Sequence, residues 1–256
     1  MKALCLIRSS PVYRREAFVA GLNRAGYKVV NALNNPDPDD ILVGWNRYGN
    51  TLEQSKMFER RGARCLIVEN GYLSALTPDR WFSISLHEHA GLGEWNEGGP
   101  ERWDAMGVEL LPWRTGPETL ILAQRGIGSP DVASPDRWAE HTMKKLGVGR
   151  IRRHPANRND AIPLGKDLER VGQVVTWASS AALVALTQGI PCWYGLDGWI
   201  GASACRPVSE FGQDPKRDSA DRLAMFRRLA WAQWRVSEIE SGAAFMNLLD
   251  RARLAA

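Results

Sequence analysis

The chain has 256 residues, 44% of them hydrophobic, enough to bury one large core or two small ones and too apolar to remain disordered. Lys and Arg number 33 against 29 Asp and Glu, for a balance of +4, which tolerates a polyanionic partner without demanding one. The apolar run in MKALCLIRSS is too short for a signal peptide, and no stretch approaches the roughly 20 apolar residues of a membrane span. Four cysteines, Cys5, Cys65, Cys192 and Cys205, form no CxxC pair, and the first three sit in apolar runs. Buried free thiols and a soluble, cytoplasmic protein are the expectation.

In chain order, residues 3–7 read as a strand, and Phe18 and Leu22 mark a helix that stops at Gly26. Residues 27–32 form a second strand and 41–45 a third, ending in Asn46-Arg47-Tyr48-Gly49. Asp37-Pro38-Asp39 has the literal DxD pattern of metal-using sugar transferases, but it precedes a strand and reads as a turn. A helix from about residue 51 stops at Gly62. A fourth strand, 64–68, ends in Glu69-Asn70-Gly71-Tyr72. Residues 81–86 alternate Phe82, Ile84 and Leu86 against Ser83 and Ser85, the pattern of a half-buried strand, and run into His87-Glu88-His89. Strands alternating with helices predict a parallel sheet with functional groups at its carboxyl ends, so that three strand ends share one crevice.

Residues 94–117, rich in Gly, Pro and Trp, read as a passage between two domains. The alternation then restarts. A strand at 119–123 leads into Gln124-Arg125-Gly126-Ile127-Gly128, a helix carries Trp138, Thr142 and Leu146, and a strand at 150–153 ends at His154-Pro155. Residues 173–194 predict a strand, a turn at Ala178-Ser179-Ser180, a helix and another strand. From residue 218 a long helix carries Leu223, Phe226, Ala230 and Trp234 on one stripe and breaks near Gly242. The fold class is α/β, with two small Rossmann-like halves facing a cleft and a terminal helix available to cross back.

The second half collects phosphate-binding groups: Gln124, Arg125 and Gly126, then His154, then Ser179 and Ser180 at a helix start. Glycine lets backbone approach a phosphate, Arg offers a planar double donor, and a helix start has free N–H groups. The first half offers acid–base groups, Glu69, His87, Glu88 and His89, which suit proton abstraction from a hydroxyl. Metal ligation is not expected, because at most His87 and His89 share a strand face and no third ligand is evident. The four arginines Arg150, Arg152, Arg153 and Arg158 surround His154. The Trp content, 11 residues, fits a rigid core or, at Trp45, a surface on which bases or sugars stack.

The path through His154-Pro155 to VVTWASSAALVALTQGIPCWY resembles the donor-binding half of GT-B glycosyltransferases of the capsule-polysaccharide and Kdo-transferase branch. There an HP dipeptide precedes a strand, a Ser-rich turn, a helix and a GIPV-like strand. VENGYL resembles the VEDGFL segment of the same branch, with Glu69 retained and Asn70 in place of the acidic residue. WNRYGN, VENGYL, QRGIG and RLAWAQW together are also similar to small phage-encoded proteins of glycosyltransferase type, some associated with hypermodified DNA.

The resemblance implies an acceptor domain over 1–116, a nucleotide-sugar domain over 117–217 and helices over 218–256 packing across both. It puts the donor diphosphate, such as that of a UDP-sugar, near Gln124, Arg125, Gly126, His154, Ser179 and Ser180. It also makes Glu69, His89 or His87 the base, with Glu69 slightly ahead. No metal or further cofactor is implied. A 5-hydroxymethylated pyrimidine in phage DNA would meet Trp45, Arg47 and Tyr48. The alternatives are a polysaccharide acceptor, a sugar-nucleotide epimerase of the same fold, or a nucleotide-binding module without turnover.

Overall fold

The computed structural model describes residues 1–155 and 162–254; Arg158 of the basic run lies outside them. Two compact units divide the chain, one made of Met1–Arg102 with Arg228–Ala256 and the other of Trp103–Arg227. The first division falls inside the Gly-, Pro- and Trp-rich passage.

The first unit contains β1 (Lys2–Cys5), α1 (Arg15–Arg24), β2 (Lys28–Val30), β3 (Ile41–Trp45), α2 (Asn50–Arg60), β4 (Arg64–Asn70) and β5 (Trp81–Leu86), and α3 (Glu101–Asp104) lies at its boundary. The second contains β6 (Glu118–Leu122), α4 (Trp138–Leu146), β7 (Arg150–Arg152), α5 (Leu164–Leu168), β8 (Val171–Thr176), α6 (Ser180–Thr187), β9 (Cys192–Tyr194) and β10 (Arg206–Pro207). Helix α7 (Ser219–Trp231) begins in the second unit and ends in the first, followed there by β11 (Gln233–Arg235), α8 (Val236–Glu240) and α9 (Ala243–Leu254).

The second sheet is wholly parallel, in the order β10-β9-β8-β6-β7. Chain order therefore reverses at β6, whose carboxyl end sits beside that of β8. Such a reversal opens a crevice outside the strand ends. Ile121, Val175 and Trp193 are buried against Ala139 of α4, which fixes one face of the sheet. Helix α6 is apolar almost all round, with six of its residues from Ala182 to Thr187 buried, and covers part of the unit's core.

The first sheet runs β11-β5-β4-β3-β1-β2. Strands β2, β1, β3 and β4 are parallel, whereas β5 pairs antiparallel with β4 and β11 antiparallel with β5. This corrects the expectation of three parallel strand ends. His87, just past β5, donates its N–H to the carbonyl of Cys65 near the amino end of β4 at 2.8 Å. Trp234 is also displaced from its expected helical stripe. Helix α7 ends at Trp231, and Trp234 pairs with Phe82 in the edge strand β11. Phe226, Leu229 and Ala230 of α7 are buried.

Asp37-Pro38-Asp39 does form a turn. Asp37 donates its N–H to Asp40 Oδ2 at 3.0 Å, and Asp40 donates its own back to the Asp37 carbonyl at 2.9 Å. All four cysteines are buried and unbridged; burial pushes the Cys65 thiol up to about 12.

Arg102 ties the late segment of the first unit to itself. It pairs with Glu238 at 2.8 Å, donates to the carbonyls of Gln233 at 2.5 Å and Ala230 at 3.3 Å, and lies 4.3 Å from the centre of the Trp234 ring. The guanidinium is largely shielded, so its removal takes the charge partner from Glu238, which keeps only the Arg235 N–H, and a donor from two carbonyls. Arg102→Ala is expected to cost about 3 kcal/mol, read as a fall in the denaturant midpoint, and Arg102→Lys should not restore it because an ammonium lacks the planar fork.

Candidate functional site

In the second unit, the loop leaving β6 and the start of α6 meet at the point where strand order reverses. Gln124 Oε1 accepts the Ala178 N–H at 2.7 Å and so bridges the two strand ends. Ser179 adopts extended backbone and caps α6, its hydroxyl accepting the Ala181 N–H at 3.2 Å. Thr176, the last residue of β8, accepts the Ser179 N–H through its own hydroxyl at 2.8 Å. That leaves Ser180 with a free N–H and a free hydroxyl among the described residues. The N–H groups of residues 124–128 likewise donate to none of them. Gly126 has φ +63°, a left-handed conformation that glycine adopts without strain. Unsatisfied N–H groups beside a helix start form an anion cradle.

Charge follows the same pattern. Arg125 is exposed and forms no ion pair or hydrogen bond among the described residues. Partial burial holds the His154 imidazole below its ordinary range, and the positive charges of Arg125 and then Arg152 lower it further. Arg152 itself is bound to Asp167. His154 is thus neutral at neutral pH beside two cations. An anion placed there would favour its protonated form, so affinity for a nucleotide-sugar, whose phosphates do not titrate in this range, should rise as pH falls from about 8 to about 6. His154→Asn should flatten that slope in a calorimetric titration. Two substitutions separate the serines: Ser179→Ala should lower stability by about 1 kcal/mol through the lost cap, while Ser180→Ala should leave the melting temperature unchanged and weaken nucleotide binding.

In the first unit, β4 extends through Glu69 and Asn70, two residues beyond the predicted end. Glu69 Oε1 accepts from the Tyr72 hydroxyl at 2.6 Å and from the Ala90 N–H at 2.9 Å. Burial, and then the Glu69 charge, hold the Tyr72 phenol well above its ordinary range, so it stays a donor. Glu69 Oε2 accepts no hydrogen bond among the described residues. One oxygen is therefore fixed and the other is open to a substrate proton.

The loop after β5 returns toward Glu69 although its strand runs the other way. His87 at φ +67° and Ala90 at φ +57° are left-handed without being glycine, a strained conformation that persists only when neighbours hold it. Ala90 is held by Glu69, and His87 by Arg47, which donates to its carbonyl at 2.5 Å. Arg47 also forms a two-pronged pair with Glu59, at 2.5 and 2.7 Å, and lies 3.6 Å from Glu88. Burial pushes the Glu59 carboxyl up, but the Arg47 hydrogen bonds and charge outweigh it and hold the group below its ordinary range. Glu88 in turn meets His89 Nδ1 at 2.7 Å.

His89 is buried, His87 is half-exposed beside Glu59 at 3.4 Å, and the two histidines have separate carboxylate partners. Among the described residues no three His, Cys, Asp or Glu side chains cluster as metal ligands would. Of the aromatic contacts expected for a base, Trp45 packs edge-on against Tyr13 and Phe82, at 4.7 and 5.9 Å between ring centres, and Tyr48 is 59% exposed. Glu59 and Thr176 escaped the sequence reading. Glu59 reaches Arg47 across 12 residues, a spacing with no local signature, whereas the Thr176-x-x-Ser179 turn carries a recognisable hydroxyl-to-backbone pattern.

No family model matches the chain, and no curated protein matches it. Solved structures do, two of them from one protein. The beta Kdo 2,7 transferase of Thermosulfurimonas dismutans KpsC matches with a TM-score of 0.57 and 12% identity, over 96% of this chain and 99% of that one. The beta Kdo 2,4 transferase of the same KpsC matches at 0.55 and 14%, over 90% of each. The chain shares their fold. The expected α/β class with two Rossmann-like sheets thus stands, in a fold like that of these transferases. No helix among the described residues is long and apolar enough to cross a membrane.

Proposed function

We propose that the chain is a glycosyltransferase that takes a sugar from a nucleotide-sugar donor and passes it to an acceptor hydroxyl. The observation carrying this is the cradle where Gln124 joins the β6 loop to the start of α6, with free N–H groups and Arg125 and His154 nearby. In this reading those groups take up the charge that develops on the leaving phosphate. No metal is invoked, since a guanidinium and oriented N–H groups are suited to that role. Glu69 is the base, its open oxygen accepting the acceptor's proton while the hydroxyl oxygen attacks the anomeric carbon.

For the acceptor we favour a saccharide, in keeping with the Kdo transferases that share the fold. A 5-hydroxymethylated pyrimidine would have to rely on Tyr48, because Trp45 is packed against two rings and Arg47 is committed to Glu59 and Glu88. The test is incubation with a panel of nucleotide-sugars, Kdo-bearing ones included, and either saccharide acceptors or a hydroxymethylated duplex, with product mass as the readout. Saccharide mass gain supports the proposal. Gain on the duplex alone reverses the acceptor, and interconversion of the donor without any acceptor means an epimerase. Nucleotide binding without turnover on any substrate means a binding module.

A further inference from the structure

Two of the four thiols lie side by side, a fact that the transferase reading does not use. Strand β10 pairs in parallel with β9, with Arg206 opposite Trp193 and Pro207 opposite Tyr194. Carried one residue back, that register sets Cys205 opposite Cys192, and Cys205 is itself extended, at φ −127° and ψ 179°. In-register residues on neighbouring strands share a face of the sheet, and the strands are about 4.8 Å apart. This lies within the roughly 4.4–6.8 Å between Cα atoms that a disulfide requires.

Their surroundings differ. Cys192 is fully buried on the α6 side of the sheet, donating toward the carbonyls of Ala182 and Ile190 at 3.5 Å. Cys205, 5% exposed, lines an open pocket of about 580 Å³ with Arg206, Lys216 and Arg217. It belongs to the edge of the sheet, where β10 has only two residues paired. Of the two cysteines, Cys205 is the one that borders the pocket.

We propose that Cys192 and Cys205 form a redox-responsive pair, oxidised to an intramolecular disulfide by a small-molecule disulfide such as glutathione disulfide. The Cys205 thiolate attacks one sulfur of the reagent, forming a mixed disulfide and expelling one small thiolate. The Cys192 thiolate then attacks the Cys205 sulfur and expels the second. The two cysteines lose two electrons, the reagent gains them, and the two cysteine protons end on the two released thiols. Burial holds the Cys192 thiol well above its ordinary range, so the second step waits on opening of the short edge strand and the pair oxidises slowly. The closed bond would tie the edge strand β10 and its pocket wall to the neighbouring strand β9.

The test is overnight exposure of the folded protein to glutathione disulfide at about pH 8, where an appreciable minority of an ordinary cysteine is thiolate. Acid quenching, alkylation of the remaining thiols in denaturant and peptide mapping follow. The expected result is two alkylated cysteines, Cys5 and Cys65, and one linked peptide joining Cys192 to Cys205, reversed by reductant and absent in Cys205→Ser. The oxidised protein should also melt about 5 °C or more above the reduced one, because the cross-link restricts the unfolded chain. Four alkylated cysteines, a link between any other pair, glutathione left on Cys205 without a link, or a cross-link that lowers the melting temperature would each overturn the proposal.

Discussion

Glu69→Gln is expected to lower transfer by about 10²-fold or more while leaving nucleotide affinity within about twofold. The substitution is clean because of how Glu69 is held. The oxygen that accepts from Tyr72 and Ala90 has a counterpart in the amide carbonyl, so the fold around it survives. What is lost is the second carboxylate oxygen, which accepts no hydrogen bond among the described residues. Glu69→Ala is a different experiment. It strips the buried Tyr72 hydroxyl of its acceptor, at about 1–3 kcal/mol, and releases Ala90 from its left-handed conformation. Loss of activity in the alanine variant therefore mixes chemistry with loop collapse. Single-turnover rates for the glutamine variant, measured beside its melting temperature, isolate the chemistry. Unchanged turnover would remove Glu69 as base and direct attention to His89, which Glu88 orients at 2.7 Å.

Arg125→Ala should weaken nucleotide binding by about 10- to 100-fold, the range of a charge-assisted hydrogen bond made to a phosphate. It should not disturb the fold, because the side chain is exposed and has no partner among the described residues. Removing Arg125 also removes one of the charges that hold His154 deprotonated. The variant's imidazole should therefore titrate at higher pH than the parent's, observable by proton NMR even without ligand. Affinity equal to the parent's, measured by calorimetry at constant ionic strength, would sink the phosphate-site assignment. Arg152→Ala is a poor substitute, since Arg152 shares Asp167 with Arg150 and its loss disturbs that pair.

Much of the fold was legible because its strands are long enough to show a period. The bounds of β3 and β5 follow from an apolar run and from strict alternation, and the cap at Ser179 follows from residue type at a helix start. Strand direction was not legible. Alternation in residues 81–86 looks the same whichever way the strand runs, so it carries no sign that β5 is antiparallel. The three-residue β11 is shorter than any periodic window, and Trp234 falls four residues after Ala230, so a helical stripe absorbed it. In the candidate site the residue types at the β6 and β8 ends were readable, while the Gln124 bridge and the Arg47–Glu59 pair were not, because they join residues 54 and 12 positions apart, the first from side chain to backbone and the second between side chains.

The edge strand β11 has a consequence for how the chain is made. Its partner β5 leaves the ribosome far earlier, and the Gln233 side chain that accepts the Leu73 N–H comes 160 residues later. Until then the β5 edge of the first sheet is an open ladder with Phe82 and Trp81 beside it, the kind of template on which nascent chains stick to one another. The second unit, contiguous in sequence, has all its strands in hand before the first can close. A chain stopped just before residue 228 should therefore be recovered as aggregate that sediments with its first unit unfinished, even though every residue of the phosphate cradle is present.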